Sequence, residues 1–276
     1  MFMLKTDELF IRPQKGWLGI NFADLWRYRE LFYFLAWRDI LVRYKQTFLG
    51  VAWAIINPII QMLVWTFIFG KVAKLPSQGI PYALVTLSGT LVWTYFSEIV
   101  NSAGGSLLNN TNLITKIYFP RLIIPLSVVL RALLDFAVAF GVFMIMMLFY
   151  RVKPTLLLLT LPFFIVLATI IAVGIGLWAA TISVKYRDVA KILPYFIQVG
   201  FFLTPVAYLM EIIPQKYLWI YYLNPMVGAI EGFRWALLGT PVLWAKLIIQ
   251  IFISFAVLIS GLFYFRRFER KFADVI

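Results

Sequence analysis

The sequence has no cysteine and no histidine among its 276 residues. That excludes a disulfide framework, a thiol nucleophile, an imidazole base and a haem ligand of either kind, and it removes the usual ligands of zinc. Acids are also scarce, 12 in all. Glu98, Asp135, Asp188, Glu211 and Glu231 are scattered, so no catalytic residue and no metal ligand is assigned. No G-x-x-x-x-G-K-[ST] stretch occurs, so the chain has no loop to cradle the phosphates of ATP. Charged residues are only 13% of the chain, against about a quarter in soluble domains.

What the chain does have is apolar length. It is 63% hydrophobic with a mean hydropathy of +0.89. Apolar runs long enough for a bilayer, about 20 residues, recur along it. The expected fold is an all-α integral membrane protein with six transmembrane helices, at residues 51–70, 82–100, 122–150, 155–182, 192–213 and 242–265. The third and fourth exceed the need and are expected to tilt or protrude.

The net charge of +13 reads as flanking positive charge rather than as a nucleic-acid surface. With the N-terminus inside, the inner segments hold 18 Lys and Arg and the outer ones 7. Both termini are therefore expected in the cytoplasm. The first 17 residues contain acids and no apolar run before their basic residues, unlike a cleaved signal peptide. The expected division is a cytoplasmic N-terminus with an interface helix at 1–50, a six-span domain at 51–265 and a basic cytoplasmic tail at 266–276.

Before the first span, Leu25, Tyr28, Leu31, Phe32, Leu35, Ile40 and Leu41 recur at near-helical spacing, among Arg27, Arg38, Arg43 and Lys45. This predicts an amphipathic helix on the inner membrane surface, its cations reaching for anionic lipid heads. Between the fifth and sixth spans, two apolar pieces broken by Asn224-Pro225, Gly228 and Gly232 are too short to cross. They predict a pair of short external helices rich in interfacial Tyr and Trp.

Three polar patterns remain. Trp53, Asn57 and Gln61 share one face of the first span. Either they line a wet conduit or they pack on a neighbouring helix. Thr86, Thr90, Thr94 and Glu98 repeat the spacing on the second span, where helix packing is the preferred reading. Arg131 and Asp135, four apart on the third, read as a pair that neutralises itself. Finally, "GGSLLNNTNLITKIYFPRLIIP" interrupts the apolar runs. Gly104-Gly105 are expected to end or bend the second span, and Ser106, Asn109 or Thr111 to cap a short helix exposing Asn112, Leu113, Ile114 and Lys116. An exposed apolar-polar knob of that kind suits a docking partner.

Four segments taken in order, "LAWRDILVRYKQTFLGVAWAIINPI", "NLITKIYFPRLIIPLS", "KYRDVAKILPYFIQVGFFLTPVAY" and "YYLNPMVGAIEGFRWALLG", resemble the membrane subunit of ABC-2-type polysaccharide exporters, such as those of O-antigen, capsule and teichoic acid. The resemblance covers nearly the whole chain. It implies a homodimer joined by two separate ATPase subunits, which carry the ATP and Mg; no cofactor is expected on this chain. It implies that Asn112, Leu113, Ile114, Thr115 and Lys116 form the coupling helix, with Tyr186, Arg187 and Asp188 also facing the ATPase. It implies that Tyr217, Trp219, Tyr222, Asn224, Pro225, Glu231 and Arg234 belong to external gate helices. The expected cargo is a lipid-linked polysaccharide crossing a bacterial inner membrane. The alternatives are an ABC-2 permease for a drug or lipid, and an ATP-independent membrane transferase.

Overall fold

The computed structural model describes residues 22–45, 50–269 and 272, and all regular structure among them is helical. In chain order the helices are α1 (Phe22–Arg27), α2 (Arg29–Lys45), α3 (Gly50–Trp65, continued by π-helical turns over Thr66–Val72), α4 (Tyr82–Asn109), α5 (Thr111–Lys116) and α6 (Ile123–Phe149). Then come α7 (Leu161–Lys185), α8 (Asp188–Phe202), α9 (Leu218–Leu223), α10 (Pro225–Leu238) and α11 (Trp244–Glu269).

Five of these are long and apolar enough to cross a membrane: Ala52–Val72, Tyr82–Asn109, Ile123–Phe149, Leu156–Lys185 and Trp244–Glu269. The segment expected as a further span, 192–213, is different. Its helix α8 has 15 residues with Pro194 inside, about 23 Å at 1.5 Å per residue, short of the roughly 30 Å of hydrocarbon. The chain beyond it, Thr204–Ala207, is non-helical yet buried.

Burial sorts the long helices. Of the apolar stretch of α4, 83% is buried; along Ala52–Val72, the figure is 6%. α4 is therefore the axis of the bundle, packed by α6, α7, α8 and α10, and α3 lies at its edge. Gly104 belongs to this packing. It neither ends nor bends α4, which runs on to Asn109. A Cβ there would come within 2.5 Å of Leu193 and 3.3 Å of Ala179, so the missing side chain lets α8 and α7 approach. The expectation of a break failed because helix continuity here is set by neighbours, not by propensity.

A second apolar cluster closes the end of the bundle where α2, α5 and the last turns of α11 meet. It contains Leu35, Leu107, Ile114, Phe119, Leu122, Val184, Phe265 and Phe272. α2 lies along this end, with Leu35 and Ala36 buried and Tyr33, Phe34 and Trp37 exposed, as is Trp26 of α1 before it. α2 thus presents apolar side chains outward as well as inward, rather than the single apolar stripe that the spacing predicts. Of the expected basic tail 266–276, Arg266–Glu269 continue α11; residues 270, 271 and 273–276 lie outside the described residues.

Candidate functional site

Helices α3, α4 and α6 line an open cavity of about 530 Å³. Trp53, Asn57 and Gln61 all line it from α3, one turn apart, and the Gln61 amide donates to Asn57 at 3.3 Å. Thr90, Thr94 and Glu98 line it from α4. The two polar stripes thus face each other. The threonine stripe divides: Thr86 is fully buried, bonded to the Ala83 carbonyl and to Thr66, while Thr94 is exposed to the cavity. Pro58 adds a feature that spacing did not single out. It has no N–H for the carbonyl of Ala54, and both residues line the cavity.

A network of charges closes the α2 end of this cavity. Arg43 of α2 pairs with Glu98 at 3.0 Å and with Asp135 at 3.1 Å. Arg131 pairs with Glu98 and donates to Ser102 at 2.5 Å. Tyr44 donates to Asp135, and its own hydroxyl is pushed up to about 12, by burial first and by that hydrogen bond second. So the salt bridges of Arg131 and Asp135 run not to each other but across helix boundaries. Neighbours on one helix face satisfy each other only when nothing better approaches. Here α2 and α4 supply partners that also tie the interface helix to the bundle.

At the same end, α5 forms where a short helix was expected, but no side chain caps it. Thr111 donates to Leu108, Ser106 to Ala103 and Asn110 to Ser106. Ile114 is also not exposed. It is 5% accessible and belongs to the closing cluster, with Leu113 half-buried beside it. One face of this six-residue helix must seal the bundle. The outward residues are Asn112, Thr115 and Lys116, continued by Ile117 and Tyr118, which the spacing did not single out. Glu269 at the end of α11 accepts from the Arg121 backbone at 3.0 Å and holds this elbow in place. Tyr186, Arg187 and Asp188 are exposed at the start of α8, Tyr186 beneath the Lys185 ammonium and Asp188 3.8 Å from Lys191.

The opposite end carries α9 and α10. Asn224 begins α10 as expected of an N-cap: its side chain accepts from Met226 at 3.0 Å and donates to Thr204 at 2.8 Å, with Pro225 at the first helical position. Gly239, at a φ of 71°, ends the helix in the left-handed region. Tyr217 and Trp219 are exposed, and Tyr222 lies 5.7 Å from the Lys246 ammonium.

Arg234 is not exposed on a gate surface. It is 1% accessible and donates to the carbonyls of Pro205 (2.6 Å), Tyr208 (2.8 Å), Val85 (3.1 Å) and Val206. Gly89 makes room for this: a Cβ there would overlap the Val206 carbonyl. Arg234 thus ties α10 to α4 and to the irregular loop after α8, satisfying backbone carbonyls that have no helix to serve them. Burial draws its guanidinium down to about 10, and pushes the Glu231 carboxyl up to about 7 against the pull of Arg234.

The family model for the ABC-2 type transporter matches residues 30–238, a region that includes the cavity, the elbow and the α9–α10 pair. The chain is 28% identical over 240 residues to the O-antigen export system permease protein RfbA of Klebsiella pneumoniae, covering 87% of this chain and 92% of that one. It is 28% identical to the protein of the same name from Myxococcus xanthus, over 76% and 81% of the two chains. It is also 28% identical to the polysialic acid transport protein KpsM of Escherichia coli, over 73% and 78%. With a family model spanning most of its length and an all-helical bundle behind the match, the chain belongs to the ABC-2 type transporter membrane family.

Proposed function

We propose that this chain is the permease subunit of an ATP-driven exporter, and that it moves a polysaccharide, of the O-antigen or capsule kind, outward across a bacterial inner membrane. Two copies form the pathway and two ATPase subunits dock beneath them. Both termini are cytoplasmic, and the segment from α8 to residue 213 completes a sixth crossing. The observation that carries the reading is the α3–α4 cavity in a protein of this family. An indole, two amides and the Thr94 hydroxyl face one space, where ring faces stack on sugar C–H surfaces and amides exchange hydrogen bonds from one hydroxyl to the next. Such contacts tolerate sliding, because none is strong alone.

Docking falls to the outward residues of the elbow. Asn112, Thr115 and Lys116 with Ile117 and Tyr118 offer a polar-apolar knob, and Tyr186, Arg187 and Asp188 offer a second contact. ATP and Mg reside on the partner.

Cysteine substitutions test the conduit, since the sequence has no thiol of its own. Trp53→Cys, Asn57→Cys and Gln61→Cys, reconstituted with the cognate ATPase, are expected to react with a water-soluble thiol reagent during ATP turnover and to be shielded by cargo. If all three stay inert in every nucleotide state while Ile60→Cys reacts, the stripe is packing and the conduit lies elsewhere. Export of a drug or lipid, with no export of glycan, would replace the cargo assignment.

A further inference from the structure

We infer that the sugar chain this protein exports is uncharged along its length, a neutral glycan rather than a polyanion; the inference rests on the cavity being the conduit. Among the described residues, three charged side chains line the cavity, Arg43, Glu98 and Asp135, all at its α2 end. They are not on offer to a passing polymer. Arg43 bridges Glu98 and Asp135, Arg131 takes the other side of Glu98, and Tyr44 donates to Asp135. Two cations and two anions close on each other, so the cluster has no net charge to give.

Beyond that cluster the polar wall is neutral: Asn57, Gln61, Thr90 and Thr94, with the Trp53 indole and the Ala54 carbonyl freed by Pro58. No lysine is among the described residues that line the space. A polymer with a carboxylate on each unit would carry repeated negative charge into a partly apolar space with no spare cation among its described lining residues. Each unit would lose hydration without a partner, because the cations of the cluster are already taken by Glu98 and Asp135. Hydroxyl-bearing neutral units meet the reverse case. The polar wall groups can donate or accept, and none of them has to be neutralised before the chain moves on. The exposed lysines at the far end of α3, Lys71 and Lys74, lie beyond the cavity, so they do not supply the missing charge.

The test places one thiol in the wall. Thr94→Cys, in the exporter reconstituted with its ATPase, is labelled with an uncharged maleimide in the presence of either an uncharged mannan oligosaccharide or a polysialic acid oligomer of equal length. The neutral oligosaccharide is expected to halve the labelling rate at a concentration at least about 10-fold lower than the anionic one, the ratio that 1.4 kcal/mol of preference produces. Adding a cation with Gln61→Lys in the same background is expected to erase or reverse that ratio, which a mere loss of fit would not do. Equal or better protection by the polysialic oligomer before the lysine is added overturns the neutral-cargo inference and leaves the conduit standing. No protection by either sugar, with the thiol still labelled during ATP turnover, overturns the conduit reading and this inference with it.

Discussion

Replacing Arg234 by Met keeps most of the side-chain length and removes the guanidinium. Three of its acceptors, the carbonyls of Pro205, Val206 and Tyr208, lie in the irregular loop. Val85 sits inside α4 and keeps its helical donor. A buried acceptor left without a donor costs about 1–3 kcal/mol. Three of them, reduced by loop relaxation and by the relief of no longer burying a charge, leave about 3–5 kcal/mol. For a chain of this size that lowers the melting temperature by on the order of 10 °C. Intrinsic tryptophan fluorescence in detergent reads it directly.

Gly89→Ala provides the internal control. Its methyl must displace the Val206 carbonyl, an overpacking cost of about 1–3 kcal/mol. Once the Arg234→Met loop has loosened, the same methyl has somewhere to go, so the double variant should lose less than the sum of the singles. An Arg234→Met protein that melts within about 2 °C of the parent, a shift worth less than 1 kcal/mol, would refute the claim that this arginine holds the loop. Strict additivity with Gly89→Ala would refute the shared-space argument.

Three other outcomes are expected. Ile114→Asp puts a carboxylate into the closing cluster and should abolish recovery of folded protein on size exclusion, whereas Tyr118→Asp should fold normally and lose stimulation of the partner's ATP hydrolysis. Gly261→Ala sets a methyl against the backbone of Gly174 where α11 crosses α7, and should destabilise by about 1–3 kcal/mol in the same thermal assay. Glu231 has its folded pKa raised to about 7 from 4.5, so the folded state holds the proton longer and stability should fall as pH rises through that window; Glu231→Gln should melt higher than the parent at pH 8 and equal to it at pH 4.

The all-helical membrane architecture was legible in the sequence because a bilayer imposes a length and an apolarity on any helix that crosses it. The shared face of Trp53, Asn57 and Gln61 was legible for a similar reason: residues four apart on one helix stay together whatever surrounds them. Asn224-Pro225 was legible as a break between two short apolar pieces; that Asn224 caps α10 came only with the structure. Partnership between distant helices was not. Glu98 could not be matched with Arg43 and Arg131, nor Asp135 with Tyr44, before α2, α4 and α6 were brought together, so a local ion pair stood in for a network. Ile114 and Lys116 looked alike as part of one exposed turn, and only the surface that α5 rests on sends one inward and the other out. Gly104 reads as a helix breaker until α8 comes to need its missing side chain, and nothing adjacent to Arg234 tells that its guanidinium is spent on four backbone carbonyls. Local geometry follows from adjacent residues; which face is buried, and which charge meets which, is decided by neighbours that are far away in the chain.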